Sequence, residues 1–420
     1  MNKRIIAGVA AAAAASLLLA GCSSDNGGGD NGGGGDGVAT DYGVTDTTIT
    51  LGVLTDVSNI YTATAVPMVS GTQIYADEVN AAGGLCGRDL EIDVQDHGSD
   101  SATATQLFQG MQDEVLGFGM ILGSPQQDAL KDFIANAEIT AVVAGWSTTA
   151  LENPYYVLAG TTYPTEVING LSWLEEQGMI APGDTIGYIN VPGPFGGDAR
   201  AGGEYFADEN GYTLTGVEIT GKETDLAAQV DQLKAAGVTA VFMSTGPGSY
   251  NQAATAMKAA GLDVPLMTNT PGYAPFQIAP GAPAGDFILE NGYVTTSMMP
   301  FGNPDSAKAV EVAAAFDADY AADNNNADAN VNFGYGAMAI FGAAIEAACD
   351  AGDLTRAGIQ AALATLTSVD TGVLVPLDYS DPEKTPSMET YILRPSDTEA
   401  GSSVLEATFG PSATAEAFNE

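Results

Sequence analysis

The sequence predicts an α/β fold of two lobes, each a doubly wound parallel sheet. Three observations predict it. From Thr48 onward, short β-type runs alternate with helical stretches, the pattern of a parallel sheet covered on both faces. A strand–polar turn–helix–strand unit starts at Phe118 and is used again from Ala240, about 120 residues later. About 375 residues follow Thr45, too many for one hydrophobic core and suited to two.

The elements follow in order. Ile49-Thr50-Leu51-Gly52-Val53-Leu54 reads as the first strand. Val69 to Asn80 carries apolar residues at helical spacing, and Ala81-Ala82-Gly83-Gly84 ends that helix. Leu90 to Val94 alternates apolar and polar as a half-buried strand does, and Ser101 to Glu114 follows as a helix. In the first copy of the repeated unit, the strand Phe118–Leu122 runs into Gly123-Ser124-Pro125, a helix, and the strand Ala141–Val143. In the second, Ala240–Met243 runs into Ser244-Thr245-Gly246-Pro247-Gly248-Ser249, a helix, and the strand Leu266-Met267. In open parallel sheets ligands sit beyond the carboxyl ends of the strands, so two lobes facing each other there form a cleft for a small molecule.

The N-terminus reads separately. Lys3 and Arg4 precede an apolar stretch from Ile5 to Ala20, shorter than the roughly 20 residues of a membrane span and laid out as a secretory signal. It ends in Leu19-Ala20-Gly21-Cys22, which resembles the lipobox of bacterial lipoproteins, so residues 1–21 are expected to be removed and Cys22 lipidated. Residues 22–45 open on a Gly/Asp/Asn-rich run with nothing to bury, a tether between lipid and folded body. No later apolar run is expected to span a bilayer.

Charge and residue inventory exclude several functions. The chain has 53 acidic against 12 basic residues, a net charge of −41. Nucleic-acid binding needs a basic patch that so few scattered Lys and Arg residues cannot build. His97 is the one histidine, in the polar turn Asp96-His97-Gly98-Ser99-Asp100, where it reads as a solvated loop residue rather than a triad or metal member. Gly216 to Lys222 has the outer spacing of a phosphate loop, but Glu223 stands where Ser or Thr belongs. Asp323 to Asp328 lacks the ligand order of a calcium loop. No cofactor or metal is expected. With Cys22 committed to lipid, Cys86 and Cys349 remain, either as a disulfide in an oxidising compartment or as two separate buried thiols.

From Ile49 to about Pro395 the chain resembles the type I periplasmic binding proteins of the leucine/isoleucine/valine-binding family. The resemblance rests on Gly71, the run Ala76-Asp77-Glu78-Val79-Asn80-Ala81-Ala82-Gly83-Gly84, Gly87-Arg88, and Asp96 with Ser99-Asp100. Leu122-Gly123-Ser124, Pro194-Phe195-Gly196 and Leu233-Lys234-Ala235-Ala236 add to it. It implies three crossovers that hinge a first lobe (residues 46–160 and 300–368) against a second (161–299 and 369–400), with 401–420 as a C-terminal extension. It also places Cys86 and Cys349 in the same lobe, which makes a bond between them the expectation. By function it implies a monomeric extracytoplasmic receptor, not an enzyme, that hands a small solute to an ABC permease. A receptor for a membrane sensor is the alternative, and an extracellular hydrolase a remoter one.

Candidate ligand residues lie at strand ends: Tyr61, Thr64, Ser124, Gln126, Trp146, Ser147 and Thr148 in the first lobe, and Phe195, Gly246, Tyr250, Thr270 and Tyr273 in the second. By resemblance, Ser124, Ser147 and Thr148 match the donors that hold an amino acid's carboxylate, although Ser and Thr there also cap helices. Trp146 reads as an aromatic wall or as core. Amino-acid-binding members carry an acid for the ligand ammonium where Thr270 stands here. A buried ammonium without a counter-charge is costly. The expected solute is therefore neutral or carboxylate-bearing with an apolar or aromatic body, ahead of a branched-chain amino acid, unless Asp56 or another acid substitutes.

Overall fold

The structure, a computed structural model, describes residues 37–322 and 327–420. The signal segment, Cys22 and most of the tether lie outside the described residues, as do Asp323–Asn326.

The first lobe comprises β1 (Ala39–Thr40), β2 (Thr48–Thr55), α1 (Thr62–Ala81), β3 (Asp89–Asp96), α2 (Ser101–Met111), β4 (Gly117–Leu122), α3 (Ser124–Ala137), β5 (Ala141–Ala144) and β6 (Tyr156–Leu158). β2 to β6 form a five-stranded parallel sheet in the order β3-β2-β4-β5-β6. β2 and β4 are apolar on both faces because helices cover both, as the unbroken burial of Gly117–Leu122 shows. The second lobe comprises α4 (Tyr163–Glu176), β7 (Thr185–Asn190), α5 (Gly193–Asn210), β8 (Thr213–Glu218), α6 (Ala227–Ala236), β9 (Ala240–Ser244), α7 (Pro247–Ala260), β10 (Leu266–Asn269), α8 (Gly285–Asn291) and β11 (Gly292–Thr296). The chain then returns to the first lobe as α9 (Ala307–Asp319), α10 (Ala329–Asp350), β12 (Asp353–Leu354) and α11 (Arg356–Leu363). It ends in the second lobe with β13 (Thr390–Pro395), β14 (Ser403–Phe409) and α12 (Ala413–Phe418).

The second sheet runs β14-β13-β11-β10-β9-β7-β8; β13 is antiparallel to its neighbours β11 and β14. This differs from a purely parallel pair of sheets. Residues 401–420 also differ from a separate extension, because β14 is the edge strand of this sheet and α12 lies on α4 and α5. The chain crosses between lobes at 159–162, 297–306 and 364–389, and the three crossings are bonded together. Thr161 N–H donates to Ser297 Oγ (3.0 Å), and Val375 N–H to the Ser297 carbonyl (3.0 Å). Tyr379 donates its hydroxyl to the Leu158 carbonyl at 2.8 Å.

Helix α1 starts at Thr62, seven residues before the helical spacing becomes readable at Val69, and it contains Pro67. It is buried on several faces, including Thr64, Ala65, Met68, Gly71, Thr72 and Ala76, so no single apolar stripe marks it. At its end Gly83 and Gly84 take φ of 108° and 81°, a region L side chains rarely enter, and turn the chain toward β3. Helix α10 corrects the expectation of no further spanning-length run: its 22 residues are long and apolar enough to cross a membrane by composition, but 78% of that window is buried in the protein. It is a core helix. It meets α1 backbone to backbone, since a Cβ at Gly334 would collide with the Met68 carbonyl oxygen and one at Gly71 with that of Val331. Cys86, after α1, and Cys349, near the end of α10, are joined as a disulfide with Cα atoms 6.0 Å apart.

A candidate ligand cavity between the lobes

At the carboxyl ends of both sheets lies a cavity of about 440 Å³. The first lobe supplies Tyr61, Thr64 and Met68 from the start of α1, Ser99 and Ser101 after β3, Leu122 to Gln126 at the β4–α3 turn, and Ala144 and Trp146 after β5. The second supplies Val191, Pro192 and Phe195 after β7, Thr220 to Lys222 after β8, Gly246, Gly248 and Ser249 after β9, and Pro271 after β10. Tyr163, the first residue of α4, sits at the first crossover and lines the same space.

An aromatic chain forms the deep wall. Tyr163 packs edge-on against Trp146 (5.7 Å between centroids) and tilted against Phe195 (4.8 Å), and Phe333 of α10 backs Trp146 at 5.2 Å. Tyr163 N–H also donates to the Trp146 carbonyl (2.8 Å), fixing the crossover against the first lobe. Few polar groups reach this depth. Ser124 donates a long hydrogen bond to the Tyr163 hydroxyl (3.4 Å), whereas Thr64 Oγ1 and Trp146 Nε1 are buried without a partner. Burial, with the Asp56 charge second, pushes the Tyr61 hydroxyl up to about 12, so it stays a neutral donor. Among the described residues lining the cavity, Lys222 is the one charged side chain, and no Asp or Glu is among them.

Seven of the twelve residues expected at the site line this space: Tyr61, Thr64, Ser124, Gln126, Trp146, Phe195 and Gly246. The other five do not. Tyr250 is fully buried in the second lobe and donates to the Leu266 carbonyl at 3.1 Å, so it is core. Thr270 bonds Thr296 Oγ1 (2.7 Å), and Tyr273 bonds the Ser402 carbonyl (2.6 Å). Both line a separate cavity of about 30 Å³ behind the hinge, beside the buried Asp328. Ser147 and Thr148 are the most consequential difference. Thr148 donates its N–H (2.9 Å) and hydroxyl (2.5 Å) to the carboxylate of Asp198 on α5, so a side chain of the opposite lobe occupies two of the donors expected to hold a ligand carboxylate, while Ser124 still faces the cavity. Burial, opposed by these bonds, raises the Asp198 pKa above the usual range.

Two further readings are revised. His97 is buried rather than solvated: its Nε2 faces the Leu122 carbonyl at 3.0 Å, its Nδ1 accepts from Ser99 N–H at 3.0 Å, and burial lowers its pKa. Asp56 is fully buried, accepting from Asn59 N–H (2.8 Å), Tyr61 N–H (3.1 Å) and the Ser99 hydroxyl, and does not line the cavity. It shapes the α1 entry instead of meeting a ligand. Met68, Leu122, Tyr163 and Lys222 are lining residues that sequence reasoning missed. For Lys222 the signal was its place in the turn beyond a strand end, the same signal that selected the others.

Residues 48–400 match the model of a family described as periplasmic binding protein. Among solved structures, a fatty acid ABC transporter substrate-binding protein from Thermomonospora curvata is 31% identical, with 92% of this chain and 98% of that one covered and a TM-score of 0.88. A branched chain amino acid ABC transporter from Thermus thermophilus with bound valine (19% identity, 89% and 98% covered, TM-score 0.79) shares the fold. So does a solute binding protein from R. palustris in complex with 4-hydroxybenzoate (16% identity, 86% and 97% covered, TM-score 0.72). Comparison with curated proteins gives no match. With two sheets, three bonded crossovers, an interlobe cavity and a family match over most of its length, the chain belongs to the type I periplasmic binding proteins, extracytoplasmic substrate-binding proteins of ABC transporters.

Proposed function

We propose that the protein captures a small monocarboxylate with an apolar or aromatic body, a fatty acid first, and delivers it to an ABC permease from a lipid tether at Cys22. One observation carries the reading: the cavity presents aromatic and aliphatic walls, hydroxyls, amides and a lysine, with no acid among its described lining residues. A zwitterionic amino acid would leave its ammonium desolvated without a counter-charge, which costs several kcal/mol, on the order of a thousandfold in affinity. An aliphatic or aryl carboxylate needs no such partner, and burying its body contributes about 25 cal/mol per Å². The Thermomonospora relative, named for fatty acids, supports the same solute class. Tyr61, Thr64, Met68, Trp146, Tyr163 and Phe195 are the residues proposed to touch the solute. Closure of the lobes on it would bias a two-state element that the permease reads.

Calorimetry on protein stripped of co-purified solute is the test, with octanoate, 4-hydroxybenzoate, leucine and valine as probes. Octanoate is expected to bind and to change tryptophan emission through Trp146, with Trp146→Phe removing most of that change. Tight binding of leucine or valine, with no response to either acid, would overturn the reading. For the tether, Cys22→Ala should abolish membrane retention.

A further inference from the structure

We infer that Lys222 takes the solute carboxylate at the cavity rim, so that the apolar body points inward toward Trp146, an orientation set by the second lobe. The inference rests on the monocarboxylate reading above. Its first ground is exclusion. Two of the first-lobe donors expected to hold a carboxylate, Thr148 N–H and hydroxyl, are already held by Asp198, which repels a second anion placed beside it, and those that remain on the cavity, among them Tyr61, Thr64 and Ser124, are uncharged.

The second ground is Lys222 itself. Its ammonium makes no ion pair or hydrogen bond among the described residues, while its backbone is fixed. Lys222 N–H donates to Thr220 Oγ1 (3.3 Å), and Thr220 in turn donates its N–H (2.8 Å) and hydroxyl (2.9 Å) to Glu223 Oε1. Glu223 thereby spends its Oε1 on folding the loop, and this loop holds the lysine at the rim. The third ground is the polarity gradient. The rim residues Pro192, Thr220 and Lys222 are exposed, whereas Met68, Trp146 and Phe195 at depth are buried. A carboxylate at the rim keeps part of its hydration and gains a counter-charge, while its body leaves water entirely. In a chain of net charge −41, one cation at the entrance also supplies the local attraction an anionic solute needs.

The test compares octanoate with octanol, a neutral probe of the same body, by calorimetry at low and high salt on the full mature chain. Lys222→Gln is expected to weaken octanoate about threefold, to flatten its salt dependence and to leave octanol unchanged, with Lys222→Arg restoring octanoate. Bromine quenching of Trp146 reads the orientation: ω-bromo-octanoate should quench more strongly than α-bromo-octanoate. If wild-type protein binds octanoate and Lys222→Gln binds it equally well, or if the α-bromo probe quenches more, the Lys222 assignment falls alone. If wild-type protein binds no monocarboxylate, the underlying reading falls and takes this one with it.

Discussion

Replacing Gly334 by alanine should destabilise the first lobe and loosen its cavity, although intrinsic propensity argues the reverse. In a helix interior alanine is favoured over glycine by about 1 kcal/mol, so a Gly→Ala change with free space around it stabilises. Gly110, in α2 with nothing within 4 Å of where a Cβ would stand, is that case. At Gly334 the added carbon collides with the Met68 carbonyl oxygen, a backbone atom that no rotamer change can move aside. The α1 and α10 helices must separate instead, and overpacking of this kind costs about 1–3 kcal/mol beyond the propensity gain. The displaced parts are those that build the cavity: Met68 lines it, and Phe333 backs Trp146 from the residue before Gly334. Urea unfolding followed by far-UV circular dichroism should show a lower midpoint for Gly334→Ala and an equal or higher one for Gly110→Ala. Solute affinity should fall in the first variant alone. A Gly334→Ala midpoint at or above wild type would refute the argument that this crossing is set by backbone contact.

Two further outcomes are expected. Peptide mapping without reductant should recover Cys86 linked to Cys349, and replacing both by serine should cost about 2–5 kcal/mol, since the bond closes a long loop; two free thiols would contradict this. Burial pushes Asp328 up to about 7 from 3.8. Because its folded pKa is raised, its contribution is present in full below the unfolded value and is lost as pH rises through 7. Asp328→Asn, which keeps an acceptor for Asn330 N–H at the start of α10, should therefore stabilise the protein at pH 8 by a few kcal/mol and much less at pH 4; a pH-independent effect would contradict the assignment.

Alternation of strand and helix was legible from residue spacing because β2 to β5 and β9 to β10 stand out as short apolar runs between helical stretches. The antiparallel end was not. Ser403–Phe409 is half-exposed, and nothing local says that its partner is Thr390–Pro395 rather than solvent. The start of α1 was hidden by Thr62-Ala63-Thr64-Ala65, which has no strong apolar stripe, and by Pro67, which reads as a breaker. At the site, strand ends located the right turns but not the direction of each side chain. Tyr250 and Phe195 both sit in a turn-to-helix segment after a strand, yet one points into the lobe and the other into the cavity. Thr148 was expected to hold a ligand carboxylate; the carboxylate it meets is that of Asp198, 50 positions away, which only the fold brings there. Lys222 sits in a turn beyond a strand end, the signal that selected the other candidates, but the phosphate-loop spacing of its run drew the reading elsewhere.

The interleaving of the two lobes sets a condition on how the chain can acquire its shape. The first lobe is unfinished until α9 to α11 return to it, and the second sheet lacks two strands until Thr390–Phe409 has been made. Domains built from one continuous stretch can fold as they emerge, N-terminal part first. Here neither unit can close on its own partial chain, because α1 waits for α10 and β11 waits for β13. Long-range pairing of this sort is slow. Both lobes are therefore expected to form late, only once the C-terminal strands and helices are available.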